Sequence, residues 1–468
     1  MSLGRRIAPD GDVRVARDSL GEVLVPVDAL WSAQTQRAVE NFPISGVRFP
    51  RRYIEALGRV KRACAQANAD LAGLSEPMAA AIASACDEVI AGDLDEHFPI
   101  DVFQTGSGTS TNMNANEVLA QRASQLLSEP VHPNDHVNRS QSSNDVIPTA
   151  AHVALTLALG GDLIPALEHL AGTLEGKARA FDGVVKTGRT HLQDATPIRM
   201  GQVFAGYAAQ VRHSVARARQ AIDAVRELPL GGTAVGTGLN CPEGFPALAI
   251  ERLNGALDTD FVEASNHVEA NAARDGLVQA SGLLKTIAVS LHKIANDIRW
   301  MASGPRNGLG ELRLPAVQPG SSIMPGKVNP VIAEALIMVC AQVAGMDVAN
   351  TLGGLGGVFE LNLMMPLLIH NTLSATEMLA NATRVFADRC IAGIEVNAER
   401  CESLVARNLA VATALAPALG YDLAAEIAKE AERTGCTVHQ VALARGVLPE
   451  SDLVDLLDPC RMTEPGVL

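Results

Sequence analysis

Apolar residues in the centre of the chain repeat at the spacing of long α-helices. From Leu277 to Met301 they alternate at intervals of three and four residues, the pattern of a helix that packs in a bundle. Asn266 and Glu269 match a helix cap before this segment, and Gly304-Pro305 ends it. The sequence therefore predicts a mainly all-α protein with a central bundle, and similar apolar patterns predict further helices over 197–228, 329–351 and 366–390.

The two ends of the chain have a different pattern. The run from Glu22 to Val27 is compatible with a β-strand, and polar connections rich in proline and glycine follow it. Beyond about residue 400, short helical segments are broken at Gly420, Gly435 and Gly446. We therefore predict three domains, with an N-terminal domain over 1–141, a helical-bundle domain over 142–399 and a small helical domain over 400–468.

The composition of the core favours helices that pack closely between subunits. Only 3% of the residues are aromatic, so the core consists of Ala, Leu, Val and Ile. A helix of ~30 residues is ~45 Å long, more than one domain of this size covers. Because such helices are apolar on more than one face, we expect an obligate helical oligomer.

Charge and cysteine content restrict the class of protein. The 468 residues include 38 basic and 52 acidic side chains, a net charge of −14, which disfavours a nucleic-acid or membrane-surface partner. The eight cysteines are scattered, without the spacing of a metal site or a redox pair. No apolar run reaches the ~20 residues that span a bilayer, and the N-terminus lacks an apolar signal core. We expect a soluble cytoplasmic protein without a metal.

The glycine-rich segments do not have the spacing of nucleotide sites. Five residues separate Gly320 from Gly326 and Val328 follows Lys327, whereas a P-loop has four residues and then Ser or Thr. The segments around Gly106 and over 231–238 lack the strand-turn-helix context of a dinucleotide fold. The sequence therefore predicts no nucleotide site and disfavours a dehydrogenase.

Four segments are instead rich in neutral hydrogen-bond donors, and they lie at 105–114, 140–145, 188–193 and 320–330. Hydroxyl and amide groups with few cations suit a small carboxylate better than a polyphosphate. Each cluster alone is also compatible with ordinary caps and turns. His191, Lys327 and Glu334, taken singly, are equally compatible with structural or surface roles.

The segment Gly320-Ser-Ser-Ile-Met-Pro-Gly-Lys-Val-Asn-Pro330 resembles the signature of the fumarase/aspartase superfamily. Gly326 before Lys327 makes it similar to the class II fumarases in particular. The resemblance covers essentially the whole chain, although His136 stands where fumarases often have Asp. Its other matching segments are 104–109, 112–117, 132–135, 140–145, 188–194, 231–240 and 299–305.

The resemblance implies a fold, an assembly and a reaction. The fold is the three-domain fumarase/aspartase-like fold, whose long helices form a twenty-helix core in a homotetramer. The reaction is the reversible hydration of fumarate to L-malate through an aci-carboxylate, without metal or cofactor. Each active site would contain segments from three subunits.

The resemblance also implies roles for individual residues. Ser321 would be the base, Lys327 and Asn329 would hold the developing charge, and His191, oriented by Glu334 of another subunit, would exchange the proton at the hydroxyl. The implied substrate-binding residues are Ser107, Gly108, Thr109, Ser142, Ser143, Asn144, Thr190, Ser322, Lys327, Val328 and Asn329. A peripheral anion site would comprise His132, Pro133, Asn134 and Asp135.

Two alternatives remain open at this point. One is an aspartate ammonia-lyase, although aspartase-like sequences generally have Gln in place of His191 and Ala before the lysine. The other is a catalytically silent helical scaffold, which predicts substitutions at Ser321, His191, Lys327 or Glu334. All four residues are present.

Overall fold

The computed structural model describes residues 12–467. Residues 1–11, which include most of the segment that lacks a signal core, lie outside the described residues, as does residue 468. Within the described part, α-helices dominate and the strands occur only in pairs. The predicted all-α class is therefore confirmed.

The first part of the chain begins with an antiparallel strand pair, which confirms the strand predicted near residue 22. One turn of π-helix at Pro133–Val137 precedes α5, and another at Leu159–Leu163 joins α5 to α6. The elements are β1 (Val13–Asp18), β2 (Gly21–Pro26), α1 (Ala33–Asn41), α2 (Arg51–Asp70), α3 (Glu76–Ala91), α4 (Thr109–Leu127), α5 (Ser143–Ala158) and α6 (Ile164–Ala180).

The middle of the chain contains two long helices and an antiparallel hairpin, β3–β4. Asn266 is a cap, because its side chain accepts the N–H groups of Val268 and Glu269, but it caps the short helix His267–Ala272, and the long helix for which it was predicted begins only at Asp275. The elements are β3 (Val185–Thr190), β4 (Gln193–Arg199), α7 (Met200–Asp223), β5 (Glu227–Leu228), α8 (Phe245–Leu257), β6 (Val262–Glu263), α9 (His267–Ala272) and α10 (Asp275–Met301).

The last part contains two more long helices and then short ones. The breaks predicted at Gly420, Gly435 and Gly446 are present, and all three glycines have positive φ. The elements are β7 (Leu312–Arg313), α11 (Val331–Gly354), β8 (Gly357–Val358), β9 (Leu361–Asn362), α12 (Met365–Arg389), β10 (Glu395–Val396), α13 (Ala398–Ala406), α14 (Ala416–Leu419), α15 (Tyr421–Thr434), α16 (Val438–Arg445) and α17 (Glu450–Leu456).

The helix predicted from Pro197 is wrong at its start. Residues 193–199 form β4 instead, and Pro197 lies opposite Thr187 of β3. The helix begins only at Met200. Proline at a first helical turn is a local signal, and pairing with the preceding strand β3 overrides it.

Within the described residues, one compact unit comprises 12–165, Ala216–Ala288 and Ala341–Leu379. Its core is built on α2, which packs against α3, α5 and α8. Tyr53, Leu57, Val60 and Cys64 occur at helical spacing on the buried side of α2, each at most 1% exposed. These helices hold the 140–145 segment, which begins α5.

The second compact unit comprises Ala166–Val215, Val289–Cys340 and residues 380–467. In it the hairpin β3–β4 packs against α13. The short C-terminal helices surround a separate apolar cluster that includes Leu415, Ile427 and Leu453. Each compact unit is built from discontinuous segments, whereas the three predicted domains are continuous. The predicted domain boundaries therefore stay a prediction.

Helix α11 is apolar on most of its surface. By length and composition alone, two helical segments are long and apolar enough to cross a membrane, Ser143–Ala180 and Val331–Gly354. The first is 67% buried, as a core helix is, but the second is only 28% buried. Met338, Val348 and Leu352 are exposed on it. A surface of this kind is typical of an interface.

Candidate active site

The loop from Gly320 to Pro330 is closed by its own hydrogen bonds. The Gly320 N–H donates to the Lys327 carbonyl oxygen at 2.8 Å, and Asn329 Nδ2 donates to the Gly320 carbonyl oxygen at 2.6 Å. A Cβ at position 320 would lie 2.4 Å from that Lys327 oxygen. Glycine is therefore required at position 320 for the loop to close.

Ser321 lies on this loop with its hydroxyl oxygen held by the backbone. Oγ accepts the N–H of Ile323 at 3.2 Å and that of Met324 at 3.0 Å. Two N–H dipoles directed at one oxygen stabilise negative charge on it. The loop thus directs two donors at the Ser321 oxygen, and Ser322 beside it is exposed.

A cavity of about 580 Å³ lies beside the loop. Lys327, Val328 and Asn329 line it together with Arg299 and Arg313, and its charged lining residues are all cations. Such a cavity attracts a carboxylate. Glu334 follows in the first turn of α11, where it is half-buried.

Thr190 and His191 lie at the tip of the hairpin β3–β4, and both are exposed. His191 and Leu192 form its two-residue turn, with φ of 58° and 61°. Left-handed backbone at both positions is the geometry of a type I′ turn, which favours Asn-Gly. Each such non-glycine residue costs about 1–3 kcal/mol, and strain of this kind is concentrated at functional sites.

A buried ion triad supports this hairpin. Glu311, which is fully buried, accepts hydrogen bonds from Arg189 Nη1 at 2.9 and 3.0 Å, and Lys186 Nζ lies 3.4 Å from its Oε2. Burial lowers the pKa of Lys186, and the Glu311 carboxylate opposes that shift. The triad anchors the strand that ends at Thr190.

Glu311→Gln is expected to destabilise the protein by about 3–5 kcal/mol, because it leaves two buried cations without their carboxylate. The free energy of unfolding from urea titration measures this. The control is Glu243→Gln at an exposed glutamate. An unchanged urea midpoint in Glu311→Gln would show that the triad does not stabilise the fold.

His191 lines a cavity of about 890 Å³, which also includes Lys186, Arg189 and Trp300. Trp300 lines the cavity beside the 320–330 loop as well. The two cavities are therefore neighbours within this unit. In the part of the chain that the structure describes, no hydrogen bond joins His191 to Ser321.

The segment Ser142-Ser143-Asn144 begins α5 with a capping box. Ser142 Oγ accepts the Asn144 N–H, and Asp145 Oδ1 accepts the Ser142 N–H. Asp145 Oδ2 also accepts the N–H groups of Gly231 and Thr233, which attaches the 231–238 turn to the same place. Burial raises the pKa of Asp145, and these three N–H donors oppose the shift.

Ser142 and Ser143 line a cavity of about 340 Å³. Ser143 Oγ accepts a hydrogen bond from Asn112 Nδ2 at 3.0 Å, and Ser142 Oγ accepts the Asn144 N–H, so each O–H is free to donate. Asn144 Nδ2 donates to the Ala234 carbonyl oxygen. The lining residues of this cavity, which include Ser142, Ser143 and Asn138, are all uncharged.

Ser107, Gly108 and Thr109 form the turn that begins α4. The hydroxyl oxygens of Ser107 and Thr109 lie 2.8 Å apart in a hydrogen bond. Gly108 has φ of 70°, and a Cβ there would lie 2.8 Å from Ile147 Cγ2 on α5. Glycine therefore permits close packing of this turn on the helix that carries Ser143.

His132, Pro133, Asn134 and Asp135 form the π-helical turn before α5. His132 Nδ1 accepts the N–H groups of Asn134 and Asp135, and His136 Nδ1 accepts the His132 N–H. The ring of His132 therefore caps this turn. The N–H groups of Asn134 and Asp135 already have an acceptor within this turn. The peripheral anion site stays a prediction.

Sequence reasoning assigned no role to several residues that organise these sites, notably Asn112, Asn138, Asp145 and Glu311. The Ser142-x-x-Asp145 spacing was a readable capping-box signal for Asp145. The other three depend on contacts between distant segments. Among residues 12–467, no group of three or more His, Cys, Asp or Glu side chains has an arrangement suited to a metal ion.

Comparison with known proteins assigns the family. A model described as lyase matches residues 21–345, and a model of the fumarase C C-terminus matches residues 411–464. The chain is 56% identical over 462 residues to a class II fumarate hydratase of Halobacterium salinarum, covering 98% of each chain. It is 54% identical to the Ralstonia nicotianae class II fumarate hydratase, covering 92% of this chain and 95% of the relative.

Solved structures agree with this assignment. The crystal structure of class II fumarase from Schistosoma mansoni matches with a TM-score of 0.94 at 38% sequence identity. The match covers 97% of this chain and 99% of that one. The predicted fumarase-like fold is thereby confirmed over nearly the whole chain. This chain belongs to the class II fumarate hydratase family.

Proposed function

We propose that the protein catalyses the reversible hydration of fumarate to L-malate. The observation that carries the proposal is Ser321, whose Oγ accepts two backbone N–H groups on a loop beside a cavity with only cationic charged residues. The base and the carboxylate-attracting groups of the reaction thus lie on one segment. The 56% identity to a class II fumarate hydratase supports the same activity.

In the direction of malate dehydration, Ser321 removes the proton from carbon 3, and the electron pair moves onto the adjacent carboxylate. Lys327 and Asn329 hold the resulting doubly charged aci-carboxylate, each contributing about 2.7–4 kcal/mol if an oxyanion-hole donor is a fair comparison. Asn329 donates one N–H to Gly320. Its second N–H is directed to the substrate.

His191, which we take to be oriented by Glu334 of another subunit, delivers a proton to the departing hydroxyl through a water molecule. The hydroxyl then leaves as water and the double bond of fumarate forms. General acid catalysis of this kind contributes about 10²- to 10⁴-fold. The exposed position of His191 at a hairpin tip allows such a partner to approach.

The substrate carboxylates are bound by neutral donors in this proposal. Each of these groups presents an O–H or N–H without a net positive charge, which orients a dicarboxylate through several weak contacts. The set comprises Ser107, Gly108, Thr109, Ser142, Ser143, Asn144, Thr190, Ser322 and Val328, besides Lys327 and Asn329.

We further propose a homotetramer in which each active site takes segments from three chains. The exposed apolar surface of α11 supports an assembly. The eight free cysteines are compatible with the reducing cytoplasm, where we expect the protein to act. No metal or organic cofactor is required by the proposed chemistry.

The activity is tested by following fumarate absorbance with purified protein. L-malate should produce fumarate and L-aspartate should not. Production from aspartate alone would identify an ammonia-lyase, and silence with both substrates would favour a scaffold.

Composite sites predict complementation between inactive variants. His191→Asn and Lys327→Ala tetramers, each inactive, should regain part of the activity when subunits exchange, because some mixed sites contain neither substitution. Exchange is monitored with two differently tagged chains. Proven exchange without recovered activity would contradict shared sites.

A further inference from the structure

Lys61 is a buried cation that the proposed chemistry does not use. It lies on α2, is 0% exposed, and donates to Asn138 Oδ1 at 3.1 Å and to Gln141 Oε1 at 2.9 Å. Both hydrogen-bond partners are neutral amides, and the buried Asp145 carboxylate interacts with the ammonium across space without a direct hydrogen bond. Burial lowers the pKa of Lys61 to about 8, so it is mostly protonated at neutral pH.

An ammonium group has only donors, so it dictates which atom of an amide faces it. Asn138 must turn its oxygen toward Lys61. That same oxygen accepts Nδ2 of Asn112 and Nδ2 of Asn116, each at 3.1 Å. Lys61 and the Gln141 carbonyl oxygen, which accepts Asn138 Nδ2 at 3.2 Å, together orient the Asn138 amide, and its oxygen in turn orients Asn112 and Asn116.

The hydrogen-bond direction set at Asn138 extends to Ser143 at the start of α5. Asn112 gives one N–H to Asn138 and the other to Ser143 Oγ at 3.0 Å. Since Ser143 Oγ is thereby an acceptor of the Asn112 N–H, its own hydrogen is directed elsewhere. Ser143 lines the uncharged cavity of about 340 Å³, where its O–H can meet a carboxylate.

We propose that Lys61 is a positioning residue that sets the hydrogen-bond direction of the Asn138–Asn112–Ser143 network, so that Ser143 always presents a donor to the dicarboxylate. The inference rests on the proposed function. With a neutral side chain at position 61, the Asn138 amide keeps only the 3.2 Å hydrogen bond from its Nδ2 to the Gln141 carbonyl oxygen, which is too weak to prevent it from turning over. Asn112 and Ser143 could then reverse, presenting an oxygen lone pair to the carboxylate.

The experiment uses Lys61→Met in the full-length protein, with methionine of similar length but without donors. Calorimetric binding of succinate, a dicarboxylate that cannot be hydrated, should weaken by about 10-fold or more, since hydrogen bonds to charged groups are the strong ones. KM for fumarate should rise by a similar factor with a smaller change in kcat. Lys429→Met, at an exposed lysine on α15, is the control and should bind succinate as the parent does.

A double-mutant cycle separates this role from a structural one. Ser143→Ala alone should weaken succinate binding, and adding Lys61→Met should weaken it no further, because Lys61 acts through Ser143. If the double variant weakens succinate binding by the product of the two single-variant factors, the proposal is overturned. Unfolding midpoints, measured in parallel, report any general destabilisation.

Lys61→Gln covers the case in which Lys61→Met does not fold. Its amide can turn either atom toward Asn138, so the donor direction is no longer imposed and binding should again weaken, by about 3-fold or more. A folded variant of either kind with parental affinity for succinate would overturn the proposal. If the parent itself neither hydrates fumarate nor binds succinate, the proposed function fails instead.

Discussion

Replacing Ser321 by alanine is expected to remove nearly all fumarate hydration, a loss of about 10²- to 10⁴-fold in kcat. The substitution removes the hydroxyl that takes the carbon 3 proton in the proposed reaction. The initial rate of malate dehydration measures the loss, and size-exclusion chromatography checks that the assembly is intact. A variant that retains more than about a tenth of the parental rate would exclude Ser321 as the base.

The same substitution also removes an acceptor for the N–H groups of Ile323 and Met324, which could disturb the loop. Ser321→Asn is the matched control, because an asparagine side chain can accept these N–H groups in an Asx-turn but has no hydroxyl. Equal losses in the alanine and asparagine variants would assign the effect to proton transfer. Recovery in Ser321→Asn would assign it to loop closure.

Replacing His191 by asparagine is expected to lower kcat by about 10²-fold or more, because the general acid at the hydroxyl is lost. Asparagine is the suitable substitution, since it tolerates the left-handed backbone that residue 191 adopts with φ of 58°. The turn should therefore persist or become more stable. A fall in kcat without loss of thermal stability is the expected combination.

Leu192→Asn is the control for the turn. Residue 192 has φ of 61° in the same hairpin and has no role in the proposed chemistry. Its substitution should leave kcat within a few-fold of the parent. If both variants lose activity equally, the conformation of the hairpin and not the imidazole would account for the effect of His191→Asn.

The long helices could be predicted because their signal is local. Apolar spacing located the body of α10 from Leu277 to Met301, and glycines located the breaks in the C-terminal part, although the predicted Asn266 cap belongs to α9. The start of α7 could not be found in this way. Thr187 lies opposite Pro197 in β3–β4, a pairing that joins segments on either side of the His191 turn and that proline's local preference does not reveal.

The candidate site residues that lie in a contiguous sequence motif could be predicted. Those that depend on contacts between buried, distant segments could not. Ser321, Lys327 and Asn329 stand within one contiguous signature. Lys61 and Asn138 are 77 residues apart, and only the fold brings the ammonium to the amide. The net charge of −14 gave no indication of a cavity whose charged lining residues are cations, because total charge does not determine local charge.

The exposed apolar surface of α11 has a consequence for the life of a newly made chain. Under the proposed homotetramer, a single chain that has folded but not yet assembled displays Met338, Val348 and Leu352 to the solvent, much as a misfolded protein does. Chaperones and proteases that recognise exposed apolar surfaces would not distinguish an unassembled chain from a misfolded one. Survival of the chain in the cell then depends on how quickly it meets its partners, so abundance should fall more steeply than synthesis rate when expression is reduced.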